Sequence, residues 1–114
     1  MGSVIVADSE VAALRAVSRA PGLCVLAVAR APAAGDAALE ALAARREDVP
    51  VVRIDADRAT ALQERHQIGA ADTLLFLRGG VEVGRLVGPA APARMLLALE
   101  CACEAPAGAE LMRG

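Results

Sequence analysis

Two largely apolar runs place the strongest constraint on this fold: Leu-Cys-Val-Leu-Ala-Val-Ala over 23–29 and Val-Pro-Val-Val-Arg-Ile-Asp over 49–55. Neither run alternates between apolar and polar residues, as a strand with one face in water would. Strands buried on both faces are typical of parallel sheets, whose connections cross over as helices. The two runs therefore predict an α/β domain with helices on both faces of a sheet.

Helical patterns fill the intervals between the strands. Asp8 and Ser9 are both suited to capping a helix in which Val11, Leu14 and Val17 recur at helical spacing. The segment Ala-Pro-Gly at 20–22 is expected to end that helix. Three more helices are predicted. The first covers 37–47, with Leu39 and Leu42 on one side, and the second covers 58–67 and is capped by Asp57. The last is opened by Gly88, Pro89 and Pro92 and runs to about Cys103, with Leu96, Leu99 and Cys103 on one stripe.

Short β-branched and apolar runs predict the remaining strands, at 3–7, 73–77 and 81–87. The last two flank Arg-Gly-Gly, a hairpin signal, and Val81, Val83 and Arg85 are expected on one face of the second. The order β-α-β-α-β-α-β-β-α predicts a mixed five-stranded sheet, with right-handed crossovers. We predict one domain over 1–104, followed by a flexible tail over 105–114.

Composition excludes several classes of function. Hydrophobic residues make up 56% of the 114 residues, one residue is aromatic and the net charge is −2. The arginines are scattered and do not form a basic stripe with stacking aromatics, so the sequence disfavours nucleic-acid binding. No apolar run approaches the ~18 residues of a membrane span, and the first residues do not resemble a secretory signal. Three cysteines cannot all pair within the chain, which favours a reducing, cytoplasmic location.

Beyond this pattern, the stretch 51–88 resembles the thioredoxin family. An apolar strand ending in an acid, a basic-aromatic-x-Ile helix phrase, a Pro-Thr-Leu strand, a Lys-x-Gly hairpin and a Val-Gly exit follow one another in that family. Their counterparts here are Asp55, Arg65-His66-Gln67-Ile68, Asp72-Thr73-Leu74, Arg78-Gly79-Gly80 and Val87-Gly88. The resemblance implies a thioredoxin-like three-layer sandwich.

The chemical elements of that family are missing from this sequence. The Trp-Cys-Gly-Pro-Cys motif, which opens the second helix in the family, aligns with Ala33–Ala37 or else falls in a deletion, and neither alignment supplies a thiol. The buried acid of the family's second strand becomes Val28, and the cis-proline becomes Asp72. We expect a trans bond before Asp72, because a non-proline cis bond costs about 3 kcal/mol. The resemblance thus implies a protein that does not carry out thiol exchange at this position.

The resemblance also implies a groove for an extended peptide, formed by loops at 30–37, 69–73 and 88–92. This groove predicts binding of another protein or peptide, as in an assembly or maturation chaperone. Separately, the high apolarity and the small surface residues permit a homodimer. No cofactor, metal, nucleic acid or membrane partner is expected. The candidate partner-binding residues are Pro32, Ala34, Gly35, Asp36, Ala71, Asp72, Thr73, Gly88 and Pro89.

A second hypothesis is an atypical thiol-disulfide or metal-binding protein that uses Cys101 and Cys103, with Cys24 close by. Against it, side chains two apart on a helix point in different directions, so Cys103 is expected inward and Cys101 at the surface. Cys24 is more simply explained as a buried core residue. A non-catalytic subunit of a larger complex is the third possibility.

Three further residue types have structural explanations. His66, the single histidine, lacks ligands at metal spacing and is expected half-buried in a structural role. Asp36 and Asp72 could approach each other as an acid/base pair, but Asp36 is more simply a helix cap. Gly35 and Gly79-Gly80 are predicted to be turn glycines.

Overall fold

Within the described residues, five strands and four helices follow one another in the predicted order. The computed structural model describes residues 4–20, 22–29, 32–69, 72–88 and 92–104, and for 32–36, 92, 103 and 104 the description covers the backbone. The predicted tail, 105–114, lies outside the described residues. The elements are β1 (Val4–Ala7), α1 (Glu10–Arg19), β2 (Leu23–Ala29), α2 (Pro32–Arg45), β3 (Val51–Asp55), a 3-10 turn (Ala56–Arg58), α3 (Thr60–His66), β4 (Thr73–Arg78), β5 (Val81–Val87) and α4 (Pro92–Glu104).

The sheet has the strand order β1-β3-β2-β4-β5. Strands β1, β3 and β2 are parallel, whereas β4 is antiparallel to both β2 and β5. The predicted mixed five-stranded sheet is therefore confirmed. Strand β2 occupies the centre and all seven of its residues are buried, which explains why its sequence shows no alternation.

Two hydrophobic clusters lie on the two faces of the sheet. On what we term the first face, Cys24, Leu26 and Val28 of β2 pack with residues of α1 and α3. On the second face, Leu23, Val25 and Ala27 pack with residues of α2 and α4. This division follows from the period of two along a strand. The helices contribute Ala13 and Val17 (α1), Leu62 (α3), Leu39 and Leu42 (α2), and Met95, Leu99 and Ala102 (α4).

Helix α1 begins where predicted but buries a different stripe. The Ser9 hydroxyl accepts a hydrogen bond from the Ala12 N–H at 3.2 Å, so Ser9 is the capping residue. Val17 is buried as expected, whereas Val11 and Leu14 are exposed, so the predicted apolar face is wrong for those two. The inner side of α1 is made largely of alanines, and small side chains allow a helix to lie close to a sheet.

Helix α2 begins at Pro32, five residues earlier than predicted. Proline is favoured at the first helical position because its fixed φ suits the helix and its missing N–H would have no intrahelical partner. Gly35 therefore lies in the helix and not in a turn, and Asp36 follows the first turn and does not cap the helix. Residues 32–37 are not the loop that the sequence predicted.

Helix α3 is preceded by a 3-10 turn and starts at Thr60, two residues later than predicted. The capping carboxylate of that turn is Asp55, which accepts from the Asp57 N–H at 3.0 Å, so the prediction that Asp57 caps the helix is wrong. The N-terminus of α3 receives a cap from another element. The Glu10 Oε2 atom, at the start of α1, accepts a hydrogen bond from the Leu62 N–H at 2.8 Å.

Strand β5 contains an irregularity that changes which way its side chains point. Its partners shift between Phe76 and Leu77, because Phe76 pairs with Gly84 whereas Leu77 pairs with Glu82. Phe76 and Leu77 are adjacent in β4, whereas their partners Gly84 and Glu82 are two residues apart in β5. The extra residue in β5 is typical of a β-bulge. Val83 packs on the second face, whereas Arg85 bonds to α3 on the first face. The prediction that Val81, Val83 and Arg85 share a face is therefore wrong.

Helix α4 buries Met95, Leu99 and Ala102 at spacings of four and three. Leu96, predicted on this stripe, is half-buried at its side. The side chain of Cys103 lies outside the described residues. In the part of the chain that the structure describes, no helix is long and apolar enough to cross a membrane.

Candidate functional site

Three segments meet at the edge of the sheet where β2 ends. Val28 pairs with Thr73, and Thr73 pairs with Val87 on its other side, so the end of β2, the start of β4 and the end of β5 form one row. The Gly88 N–H donates to the Asp72 carbonyl at 2.7 Å and joins the segments that flank β4 and β5. We call this region, made of the first turn of α2, Asp72, Thr73 and Gly88, the carboxyl-edge face.

Glycine is required at the last of these positions. Gly88 has φ +89°, in the left-handed region, where a side chain would be strained. No atom lies within 4 Å of the position that a Cβ on Gly88 would take, so conformation and not crowding selects glycine here. The backbone of the carboxyl-edge face therefore depends on glycine at position 88, directly after β5.

The structure brings most of the predicted partner-binding residues to this face. Thr73 is buried at the first position of β4, and Asp72 before it is half-buried. Ala71 and Pro89 lie outside the described residues, so the trans bond expected before Asp72 stays a prediction. Pro32, Ala34, Gly35 and Asp36 are backbone positions in the first residues of α2.

Cys24 lies far from this face and is buried. It is the second residue of β2, about 13 Å along the strand from Val28 at ~3.3 Å per residue. Its relative exposure is 1%, and burial raises the pKa of the Cys24 thiol from 9.0 to about 11. Its Sγ is 3.8 Å from the Val25 carbonyl oxygen, a weak contact. A thiol in such an environment is protonated and inert at neutral pH.

The other described thiol, Cys101, is exposed on α4. Helix α4 packs on the second face of the sheet, whereas Cys24 belongs to the first-face cluster. The sheet therefore separates Cys24 from Cys101, and the hypothesis that these two cluster is wrong. Cys103 is also within the helix, two residues beyond Cys101, and the description of Cys103 covers its backbone.

His66 joins a charged group that the sequence did not predict. Its Nδ1 atom lies 3.3 Å from the Glu82 Oε1 atom, and the Arg85 Nε donates to Glu82 Oε2 at 2.6 Å. Arg85 also donates to the His66 carbonyl, so β5 is bound to the end of α3. The hydrogen bond from Arg85 holds the pKa of Glu82 below its usual value. The group depends on the bulge in β5, which no sequence signal revealed.

These contacts give His66 the structural role that the sequence predicted. Its side chain is 12% exposed and sits between α3 and β5. The described residues contain no group of three or more His, Cys, Asp or Glu side chains that could hold a metal ion.

The fold and this edge define a class of α/β protein with a mixed five-stranded sheet between two helical layers. Within that class, solved structures identify the fold as thioredoxin-like. Spinach chloroplast thioredoxin F is similar with a TM-score of 0.74 and 20% identity, over 90% of this chain and 96% of its own. A mutant thioredoxin from Halobacterium salinarum has a TM-score of 0.72 and 18% identity, over 90% and 92%.

A thioredoxin from Nicotiana alata is 26% identical, with a TM-score of 0.67, over 83% of this chain and 89% of its own. The sequence matches no family model and no curated protein. These likenesses confirm the predicted thioredoxin-like fold. At such identities they establish the fold and carry no activity over to this chain.

Proposed function

We propose that this is a redox-inactive thioredoxin-like protein that binds another protein or peptide at its carboxyl-edge face, as an assembly or maturation chaperone does. One observation carries the proposal. The ends of β2 and β5 and the start of β4 converge at this edge, where a 2.7 Å hydrogen bond joins Gly88 to Asp72, while the sequence supplies no cysteine between Cys24 and Cys101. The edge therefore has a backbone held by hydrogen bonds but no nucleophilic sulfur.

The positions of the described thiols support an absence of thiol exchange. Exchange needs a thiolate, an accessible sulfur and a resolving thiol. Cys24 has neither accessibility nor a low pKa. Cys101 is accessible, but it lies about 14 Å along α4 from the first residue of that helix, at ~1.5 Å per residue.

Charge at this edge favours a basic partner. Asp8 directly follows β1, Asp55 ends β3 and Asp57 lies two residues further on, at the same edge as Asp72. Arg58 offsets part of this charge, since it donates to the Asp8 carbonyl at 3.1 Å. A surface that carries several carboxylates attracts and orients segments rich in lysine or arginine.

The redox part of the proposal is tested by insulin reduction with dithiothreitol. We expect the protein to leave the rate at that of dithiothreitol alone, whereas a thioredoxin run in parallel accelerates it. The matched variant is the double change Cys101→Ser and Cys103→Ser. Turnover that this variant loses would overturn the proposal in favour of the thiol hypothesis.

The binding part is tested with short extended peptides of positive, neutral and negative charge, by fluorescence anisotropy. We expect the positive set to bind most tightly, and Asp72→Lys to weaken that binding at least ~10-fold, equivalent to about 1.4 kcal/mol. Asp48→Lys is the matched control, because it makes the same charge change between α2 and β3, where β3 begins.

Circular dichroism of both variants verifies that the fold is retained. Equal loss of binding in the two variants would show an effect of net charge and refute the carboxyl-edge face as the site. A failure of every peptide set to bind would refute the binding function itself.

A further inference from the structure

A second surface lies on the outer side of α2 and α4, away from the carboxyl-edge face. The last turns of α2 and the first turns of α4 enclose an open groove of about 670 Å³ on the side away from the sheet. Three alanines, Ala41, Ala44 and Ala93, contribute to its lining. Because alanine side chains are short, another helix can approach such a surface closely.

A large apolar side chain stands in the same groove. Leu97 is 62% exposed, while its neighbour Leu96 is half-buried. Because removing apolar surface from water is favourable, covering the exposed part of Leu97 would stabilise a complex.

Two opposite charges complete the groove, one on each helix. Arg45 lies on α2 and Glu100 lies on α4. Across the described part of the chain, neither side chain has an ion-pair partner. The groove therefore presents an apolar centre with one cation and one anion.

We propose that this groove binds a second copy of the same chain, as a two-fold symmetric dimer. In a two-fold interface each copy contributes the same patch, so Arg45 of one copy meets Glu100 of the second copy, and the reverse pair forms at the same time. Leu97 of each copy then lies against the alanines of the other. A patch that carries both charges is complementary to itself, which favours a second copy over an unrelated partner.

The size of the patch indicates a weak dimer. Helix α4 has 13 residues, so it is about 20 Å long, and two neighbouring helices span about 20 Å. The outline of about 400 Å² falls below the ~800 Å² that each partner of a standard interface contributes. We therefore expect a dissociation constant in the micromolar range, about 10–100 µM.

The first experiment is sedimentation velocity from ~5 to ~500 µM protein, with a reductant present to prevent intermolecular disulfides. The wild type is expected to shift from monomer to dimer over this range. Leu97→Gln is expected to weaken dimerisation at least ~10-fold. Val11→Gln is the matched control, because Val11 is 64% exposed on α1, on the other face of the sheet, and this variant is expected to dimerise normally.

The second experiment tests the charge pairing with a mixture. Arg45→Glu gives a copy with two anions in the groove, and Glu100→Arg gives a copy with two cations. Each variant alone places like charges opposite each other and is expected to stay monomeric. An equimolar mixture restores both attractive pairs and is expected to form a heterodimer with an affinity within ~3-fold of the wild type.

The outcomes are decisive in both directions. A wild type that remains monomeric at ~500 µM overturns the proposal. A dimer that survives Leu97→Gln, or two charge variants that fail to associate when mixed, places any dimer contact elsewhere and overturns it as well. Since each charge variant acts as a folding control for the other in the mixture, misfolding cannot imitate the expected result.

Discussion

The buried thiol of Cys24 gives the sharpest quantitative prediction. We consider alkylation by iodoacetamide at about pH 8, with one variant that keeps Cys24 (Cys101→Ser, Cys103→Ser) and one that keeps Cys101 (Cys24→Ala, Cys103→Ser). With the Cys24 pKa raised to about 11, the thiolate fraction at pH 8 is about 0.1%, against about 9% for a thiol of pKa 9. Ionisation alone thus slows Cys24 about 100-fold, and burial slows it further.

The same pKa makes folding stability depend on pH in a defined direction. The folded state disfavours the Cys24 thiolate, so the stabilisation is fully present below the ordinary pKa of 9.0 and is lost as the pH rises toward about 11. The loss over that interval is about 2–3 kcal/mol. The chain has no tyrosine and no lysine, so few other side chains titrate in this range.

Urea unfolding at about pH 8 and pH 10.5 captures about 2 kcal/mol of this loss in the variant that keeps Cys24. Cys24→Ala in the same background is the control, and its stability should change little over the interval. Labelling of Cys24 as fast as that of Cys101, or a stability that does not fall with pH, would show that the thiol is accessible. The case against thiol chemistry would then fail.

Three further predictions concern the contacts that hold the layers together. Leu99→Ala, at a side chain with no exposure, should lower the free energy of urea unfolding by about 3–5 kcal/mol, while Leu97→Ala at the surface should change it by less than ~1 kcal/mol; equal losses would contradict the assigned core. Glu10→Ala removes the cap on α3 and should cost about 1 kcal/mol, with Glu10→Gln, which keeps an acceptor oxygen, costing less; an unchanged melting temperature in the alanine variant would refute the cap. Because Arg85 lowers the pKa of Glu82 below its ordinary 4.5, this stabilisation is complete above that value and is lost as the pH falls through the lowered pKa, so acid unfolding of Glu82→Gln should show a smaller dependence on pH in this range than that of the wild type.

The features that the sequence predicted well are those that follow from local chemistry. The seven apolar residues of β2 are buried on both faces, as their lack of alternation indicated. The hairpin also follows local rules, since Gly79 and Gly80 both have positive φ, which glycine adopts without strain. Both predictions needed information from a few adjacent residues.

The wrong predictions concern features that depend on contacts between residues far apart in the sequence. Val11 and Leu14 recur at helical spacing, but the sheet lies on the alanine side of α1 and leaves them exposed. The register shift opposite Phe76 depends on how β5 fits β4, and it brings Glu82 and Arg85 together on the first face. Periodicity within one element does not report such fits.

One replacement links the core of the fold to the proposed loss of chemistry. Val28 is buried in the first-face cluster, where the thioredoxin resemblance places an acid that serves a thiol. An unpaired carboxyl there costs several kcal/mol of desolvation or stays neutral with a raised pKa. A buried acid can be retained at that cost where it transfers a proton to or from a thiol. At an edge without cysteine there is no thiol for the acid to serve. A buried valine instead contributes about 1.5–3 kcal/mol, so valine at 28 and the missing sulfur both support the proposed absence of thiol exchange at this edge.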